Sequence, residues 1–155
     1  MDESTYIALC QQHLAAFYRM ALSITGTRQD AEDAVQQTLL KAWQHRLKAR
    51  TGLERAWIMR ILVNECYTLL RQRKRAIPME ELPVHAADMP TDSPLREAIR
   101  ALPETLRTPI LLKYMEGMTE KEVAEALHLP VSSVKNRLFR ARKLLKQELN
   151  EEVGP

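Results

Sequence analysis

Between Val131 and Lys146 the chain reads VSSVKNRLFRARKLLK, with six cations (Lys135, Arg137, Arg140, Arg142, Lys143, Lys146) and no acid. Side chains of these types hold polyanions: lysine neutralises phosphate as a point charge, while arginine and asparagine present forks to phosphates or base edges. Covalent chemistry is harder to assemble here. His13, His45, His85 and His128 are scattered, and no acid cluster has a recognisable metal spacing, which argues against a nuclease or another hydrolase. Cys10 and Cys66 have no CxxC or His-rich neighbourhood, so neither a zinc site nor a disulfide is expected. The chain is therefore read as a binding protein without a cofactor or small-molecule ligand, and not as an enzyme.

The basic segment needs an element that holds it at a surface. MTEKEVAEALHLPVSSVKNRLFRARKLLKQEL supplies one, because Thr119 and Glu122 have the spacing of a capping box, with Val123, Ala124 and Leu127 inward on a short helix. His128, Leu129 and Pro130 break it, since proline donates no N–H and disfavours helix in the residue before it. A second helix then starts at about Val131 or Ser132, which makes a helix-turn-helix with its recognition helix last. At 100° per residue, Val134, Leu138, Ala141 and Leu145 form the buried stripe. Ser132, Asn136, Phe139, Arg140 and Lys143 project opposite it, with Lys135 and Arg137 on the flanks. An outward Phe139 is wasteful in water but can pack on a thymine methyl in a major groove. The competing reading is a solvated charged helix whose Phe139 packs on a neighbouring element.

Charge is distributed unevenly along the 155 residues. Residues 1–40 carry −3, residues 41–75 carry +8, residues 76–98 carry −4 and residues 99–155 carry +2. Two basic regions flank an acidic stretch, AIPMEELPVHAADMPTDSPL, that holds four of the eight prolines. This pattern invites polyanion binding in two places and reads as a linker between two domains. Few glycines, few β-branched runs and apolar residues at three-to-four spacing predict an all-α protein of two small helical domains, at 1–76 and 96–155, joined by a linker over 77–95. The stretch SPLREAIRALPETLRTPILLKYMEG is expected to open the second domain as a helical run ended by Gly117. No apolar run reaches membrane-spanning length and MDESTYIALC lacks a basic n-region, so a cytoplasmic protein is expected.

The first domain carries two contrasting helices. In TGTRQDAEDAVQQTLLKAW, Thr27 is the expected N-cap and Ala31, Ala34, Val35 and Ala42 the inward face. Its outward stripe, Asp30, Asp33, Gln37 and Lys41, begins acidic, which suits a protein partner or plain solvent rather than DNA. In ERAWIMRILVNECYTLLRQRKR, Ile58, Ile61, Leu62 and Leu69 turn inward. Arg60, Asn64, Tyr67 and Arg71 turn outward, with Trp57 at the edge of their arc. Cations interleaved with aromatics suit single-stranded DNA, bases stacking on π-faces. Half-buried aromatic residues with polar tips are the alternative for Trp57 and Tyr67. The preceding QHRLKARTGLE is expected to be an exposed basic loop able to accept an extruded base.

With these three segments in order, the chain resembles the bacterial RNA polymerase sigma factors of the extracytoplasmic-function (ECF) group of the sigma-70 family, which contain only the second and fourth sigma domains. DAEDAVQQTLLKAW is similar to the family's core-binding helix, AWIMRILVNECYTLLRQRKR to its promoter-melting helix and MTEKEVAEALHLPVSSVKNRLFRARKLL to its helix-turn-helix. The resemblance implies a promoter-specificity subunit. Asp33 and Gln36, with Asp30 and Gln37 beside them, would dock the β′ clamp helices of core polymerase. Trp57, Arg60, Asn64, Tyr67 and Arg71 would serve the −10 element. Ser132, Ser133, Lys135, Asn136, Arg137, Phe139, Arg140 and Lys143 would serve the −35 element.

The implied partners are core polymerase, through β′ and the β flap, promoter DNA, and an anti-sigma factor, which in this group is often membrane-bound. Asn136 departs from the usual serine, His128 from the common turn glycine, and Leu39 and Leu40 from a frequent aromatic. The acidic linker, including Glu80, Glu81, Asp88 and Asp92, would run near the polymerase active-site and RNA-exit channels. A dimeric helix-turn-helix regulator reading paired half-sites is the other class to separate.

Overall fold

The computed structural model describes residues 1–76 and 93–153. The chain divides into two compact units, 1–89 and 90–155. Most of the expected linker, residues 77–92, and with it the acidic residues named above, lies outside the described residues.

The first unit is a bundle of three helices: α1 (Glu3–Thr25), α2 (Arg28–Gln44) and α3 (Glu54–Ala76), each packed on the other two. Gly26 ends α1 at φ +84, a left-handed conformation in which a Cβ would be strained, and its N–H bonds Leu22 O at 2.9 Å. Thr27 begins α2 at once, its hydroxyl accepting the Asp30 N–H at 3.3 Å. Short side chains on the inward face of α2, Ala31, Ala34 and Ala42, let it approach the larger Phe17, Met20 and Ile24 of α1 and Ile58, Met59 and Leu62 of α3, all of them buried. Tyr6 donates its hydroxyl to Leu39 O at 2.5 Å and its ring lies 5.3 Å from that of Trp43, tying the start of α1 to the end of α2. Burial pushes the Tyr6 phenol upward, so it remains a donor.

In the second unit, α4 (Pro94–Ala101), α5 (Glu104–Ile110) and α6 (Glu120–Leu127) pack on the long α7 (Val131–Val153). Pro94 sits in the first turn of α4, where its missing N–H costs nothing, so residues 94–95 of the expected linker are already helical. The single helical run expected before Gly117 is broken at Leu102, which is extended (ψ 146) because Pro103 follows it. After the internal Pro109 the helix widens into a π turn, Leu111–Met115, closed by Glu116 N–H on Leu111 O at 3.1 Å. The capping box of α6 is complete: Thr119 Oγ1 accepts from Glu122 N–H at 3.1 Å and Glu122 Oε1 from Thr119 N–H at 3.0 Å. Thr119→Ala should therefore lower stability by about 1 kcal/mol in urea titration.

Candidate functional site

The turn between α6 and α7 sets the geometry of the basic helix. His128 takes the left-handed conformation (φ 55, ψ 49) that glycine adopts most easily, and Leu129 N–H closes the end of α6 on Ala124 O at 3.0 Å. Pro130 O then receives the N–H groups of Ser133 and Val134, at 3.1 and 3.2 Å, starting α7. Val134, Leu138, Ala141 and Leu145 are all buried, the stripe expected from periodicity. Opposite them Ser132, Asn136, Phe139, Arg140 and Lys143 are exposed, Phe139 at 62%. Among the flanking residues, Lys135 is exposed, whereas Ser133 and Arg137 are half-buried. Among the described residues no neighbouring element covers most of Phe139, which does not favour the competing packing explanation. Cations around an uncovered aromatic make a surface suited to phosphate and to a thymine methyl.

Two further features of this face had no sequence signal. Tyr114, on the exposed side of the π turn, accepts a hydrogen bond from Arg142 Nη1 at 2.6 Å. Lys135 leans toward the half-buried Glu120, Nζ to Oε2 at 4.0 Å, a surface pair of little energetic weight. Arg142 and Lys146 are also exposed and extend the cationic surface beyond the residues singled out from periodicity.

On α3, Asn64 and Arg71 are exposed, while Arg60 and Tyr67 are half-buried. Arg71 Nη2 donates to Thr68 Oγ1 at 3.1 Å, which restrains its fork along the helix. Trp57 requires a correction. Its expected outward edge position is not observed; it is 4% exposed, in the core. Ala56, Trp57, Ile58 and Met59 are all buried, so the turn of α3 that they form is covered on every side and has no outward arc, although Glu54, Arg55 and Arg60 on either side of it are half-buried. The loop before it is less uniform than its composition implies. Arg46–Lys48 form a 3-10 turn in which Arg46 stacks its guanidinium 3.8 Å from the Trp43 ring centroid and donates to Trp43 O at 2.9 Å. Leu47, 81% exposed, and the exposed Lys48 and Arg50 project from this loop.

On α2, Asp33, Gln36, Gln37 and Leu40 line an open depression. Asp33 accepts from Gln29 Nε2 at 3.3 Å and stays half-buried, with Gln36 and Gln37 exposed. Asp30 is the second correction. Rather than facing outward beside Asp33, it is 1% exposed and bonded to Arg73 Nη2 at 2.5 Å, because the end of α3 crosses over it. Lys41, at the other end of the expected stripe, is ion-paired with Glu65 of α3. Of the expected stripe, Asp33 and Gln37 therefore remain at the open depression, while Asp30 and Lys41 are engaged by α3. The signal that would have found Arg73 was present: Leu62, Cys66, Leu69 and Arg73 recur at steps of four, three and four, so Arg73 continues the inward stripe.

Cys66 lies within that stripe, and burial, with a smaller contribution from the Glu65 charge, pushes its thiol up to about 12; it is a packing residue. Burial also raises the thiol of the half-buried Cys10. Among the described residues no group of three or more His, Cys, Asp or Glu is arranged to hold a metal, and no helix is long and apolar enough to cross a membrane.

Residues 9–76 match the family described as Sigma-70 region 2, and residues 93–145 match Sigma-70, region 4. RNA polymerase sigma factor SigV of Bacillus subtilis is 32% identical over 146 residues, covering 90% of this chain and 88% of that protein. ECF RNA polymerase sigma factor SigE of Mycolicibacterium smegmatis is 28% identical over 155 residues, with 91% of this chain matched to 60% of the relative's length.

Among solved structures, the sigma factor RpoE in complex with the anti-sigma factor NepR from Bartonella quintana superimposes with a TM-score of 0.74 at 26% identity, covering 94% of this chain and 97% of that one. CnrH in complex with the cytosolic domain of CnrY gives a TM-score of 0.72 at 28% identity, covering 97% and 90%. With both family regions present in order and a relative above 30% identity along most of its length, the chain belongs to the sigma-70 family of RNA polymerase sigma factors, within the extracytoplasmic-function group that gives polymerase its promoter specificity.

Proposed function

We propose that the chain binds core RNA polymerase through the middle of α2 and directs initiation by reading a −35 element with α7 and capturing an opened −10 strand with α3. The observation that carries this reading is the division of α7 into a buried apolar stripe and an exposed face of Asn136, Phe139, Arg140 and Lys143. Phosphate contacts would supply affinity and groove contacts the sequence preference. Asn64 and Arg71, with Arg60 and Tyr67 beside them, supply the donors and ring that a displaced strand needs. Asp33, Gln36 and Gln37 offer acceptors and amide donors at an open depression, the kind of surface a protein partner fills. The chain brings no reaction of its own; the chemistry belongs to polymerase.

The solved complexes of RpoE with NepR and CnrH with CnrY support control by an anti-sigma factor that competes for these surfaces. The protein then works in the cytoplasm, at the membrane when such a regulator is anchored there. The test is association of the purified chain with core polymerase, followed by sequencing of transcripts started on genomic DNA. Tight association and starts clustered at a shared two-element promoter are expected. Failure to bind core together with specific DNA binding as a dimer would establish a conventional regulator instead. Asp33→Ala should weaken polymerase binding by about tenfold, as expected for an interface residue worth more than 1 kcal/mol, while leaving duplex DNA binding by the second unit unchanged.

A further inference from the structure

Two ion pairs cross the seam between α2 and α3. Lys41 pairs with Glu65 and Asp30 with Arg73, so the α3 segment carrying Asn64, Tyr67, Arg71 and Lys74 is held to α2 near both ends. The two differ in kind. The Lys41 side chain is half exposed, whereas Asp30 is enclosed, in the first turn of α2 where the helix dipole favours a carboxylate. Its Oδ1 takes the Arg73 bond and its Oδ2 is buried with no hydrogen-bond partner among the described residues. A carboxylate in that position depends on its cation: removing Arg73 leaves a buried charge uncompensated, whereas Arg73, one-third exposed, can turn to water when Asp30 is removed.

Resting on the sigma-factor reading above, we infer that Asp30 is a positioning residue for strand capture and not a polymerase contact. Arg73 lies on the inward stripe of α3, next to the exposed Lys74 and two residues beyond the exposed Arg71. At 100° per residue, fixing Arg73 in the seam fixes the direction in which Arg71 and Lys74 leave the helix. The same bond withdraws one cation from the basic end of α3, so Arg71 and Lys74 face the strand while Arg73 holds them there. Without the pair, Arg73 is released to solvent and the last turns of α3 lose their anchor on α2.

The experiment uses the full chain with core polymerase and a promoter duplex recovered by transcript mapping, measuring polymerase affinity and, separately, permanganate reactivity of opened thymines. Asp30→Asn should keep polymerase affinity within about twofold yet lower opening by about ten- to 100-fold, the upper end being the scale of a 1 Å misplacement. Arg73→Gln should do the same, and Arg73→Lys, which keeps a cation in the seam, should restore much of the opening. The double variant Asp30→Asn with Arg73→Gln should open no worse than the more impaired single variant, the non-additivity of a coupled pair.

If Asp30→Asn loses polymerase affinity as Asp33→Ala does, with its thermal midpoint unchanged, Asp30 is a contact and the inference is overturned. Unchanged opening in folded Asp30→Asn and Arg73→Gln overturns it as well, leaving the pair a purely structural tie. If Asp30→Asn does not fold, the comparison of Arg73→Gln with Arg73→Lys decides by the same criteria. A wild-type chain that neither binds polymerase nor opens the duplex brings down the sigma-factor reading itself, a result separable from failure of the variants alone.

Discussion

Truncating Leu138 to alanine is expected to unfold most of the second unit and with it abolish duplex recognition. Leu138 is wholly enclosed on the inward stripe of α7, the helix on which α4, α5 and α6 all pack. Removing a leucine side chain at such a site costs about 2–5 kcal/mol, the lost transfer energy plus the cavity left behind. A helical unit of this size holds only about 3–5 kcal/mol in its core, so the substitution consumes nearly all of it. Leu144, on the same helix but 40% exposed, is the control: Leu144→Ala should change stability by no more than about 0.5 kcal/mol. Urea denaturation followed by circular dichroism separates the two. Equal, small effects for both variants would mean that α7 is not the organising helix of this unit.

Arg140→Ala should weaken specific promoter binding by about 1–3 kcal/mol, roughly five- to 150-fold, with no loss of stability. The side chain is exposed and its removal opens no cavity. Two kinds of contact are distinguishable by titrating the mapped promoter and a scrambled duplex across several salt concentrations. A base reader loses discrimination between the duplexes at nearly constant salt dependence. A phosphate contact weakens both equally and lowers the salt slope by about one. The position of Arg140 beside Asn136 and Phe139 on the exposed face predicts the first outcome. Unchanged affinity for both duplexes would remove Arg140 from the interface.

The sigma-factor surfaces were legible in the sequence to different depths. Around α7 nearly everything was local: a capping box four residues long, a proline, and a stripe at helical spacing, each acting within one or two turns. The break at Leu102 was equally local, written in Pro103, but apolar periodicity continued across it and hid it. Around α3 the helical wheel misled. It assumes one buried side, and the turn Ala56–Met59 is buried on all sides, which put Trp57 inside although it shares an azimuth with the exposed Asn64.

By itself, then, the sequence determined the all-helical class, the helix-turn-helix, its buried stripe and its outward cations, because caps, breaks and periodicity are properties of neighbouring residues. The tertiary structure alone decided which polar residues of α2 and α3 are free. Asp30 and Asp33 stand on one helix with the same charge, and one is enclosed against Arg73 while the other borders an open depression. Burial of a charge depends on what crosses over it, and Arg73 crosses from 43 residues away. Periodicity puts Arg73 on the inward side of α3 but carries no record of which residue of α2 it meets there.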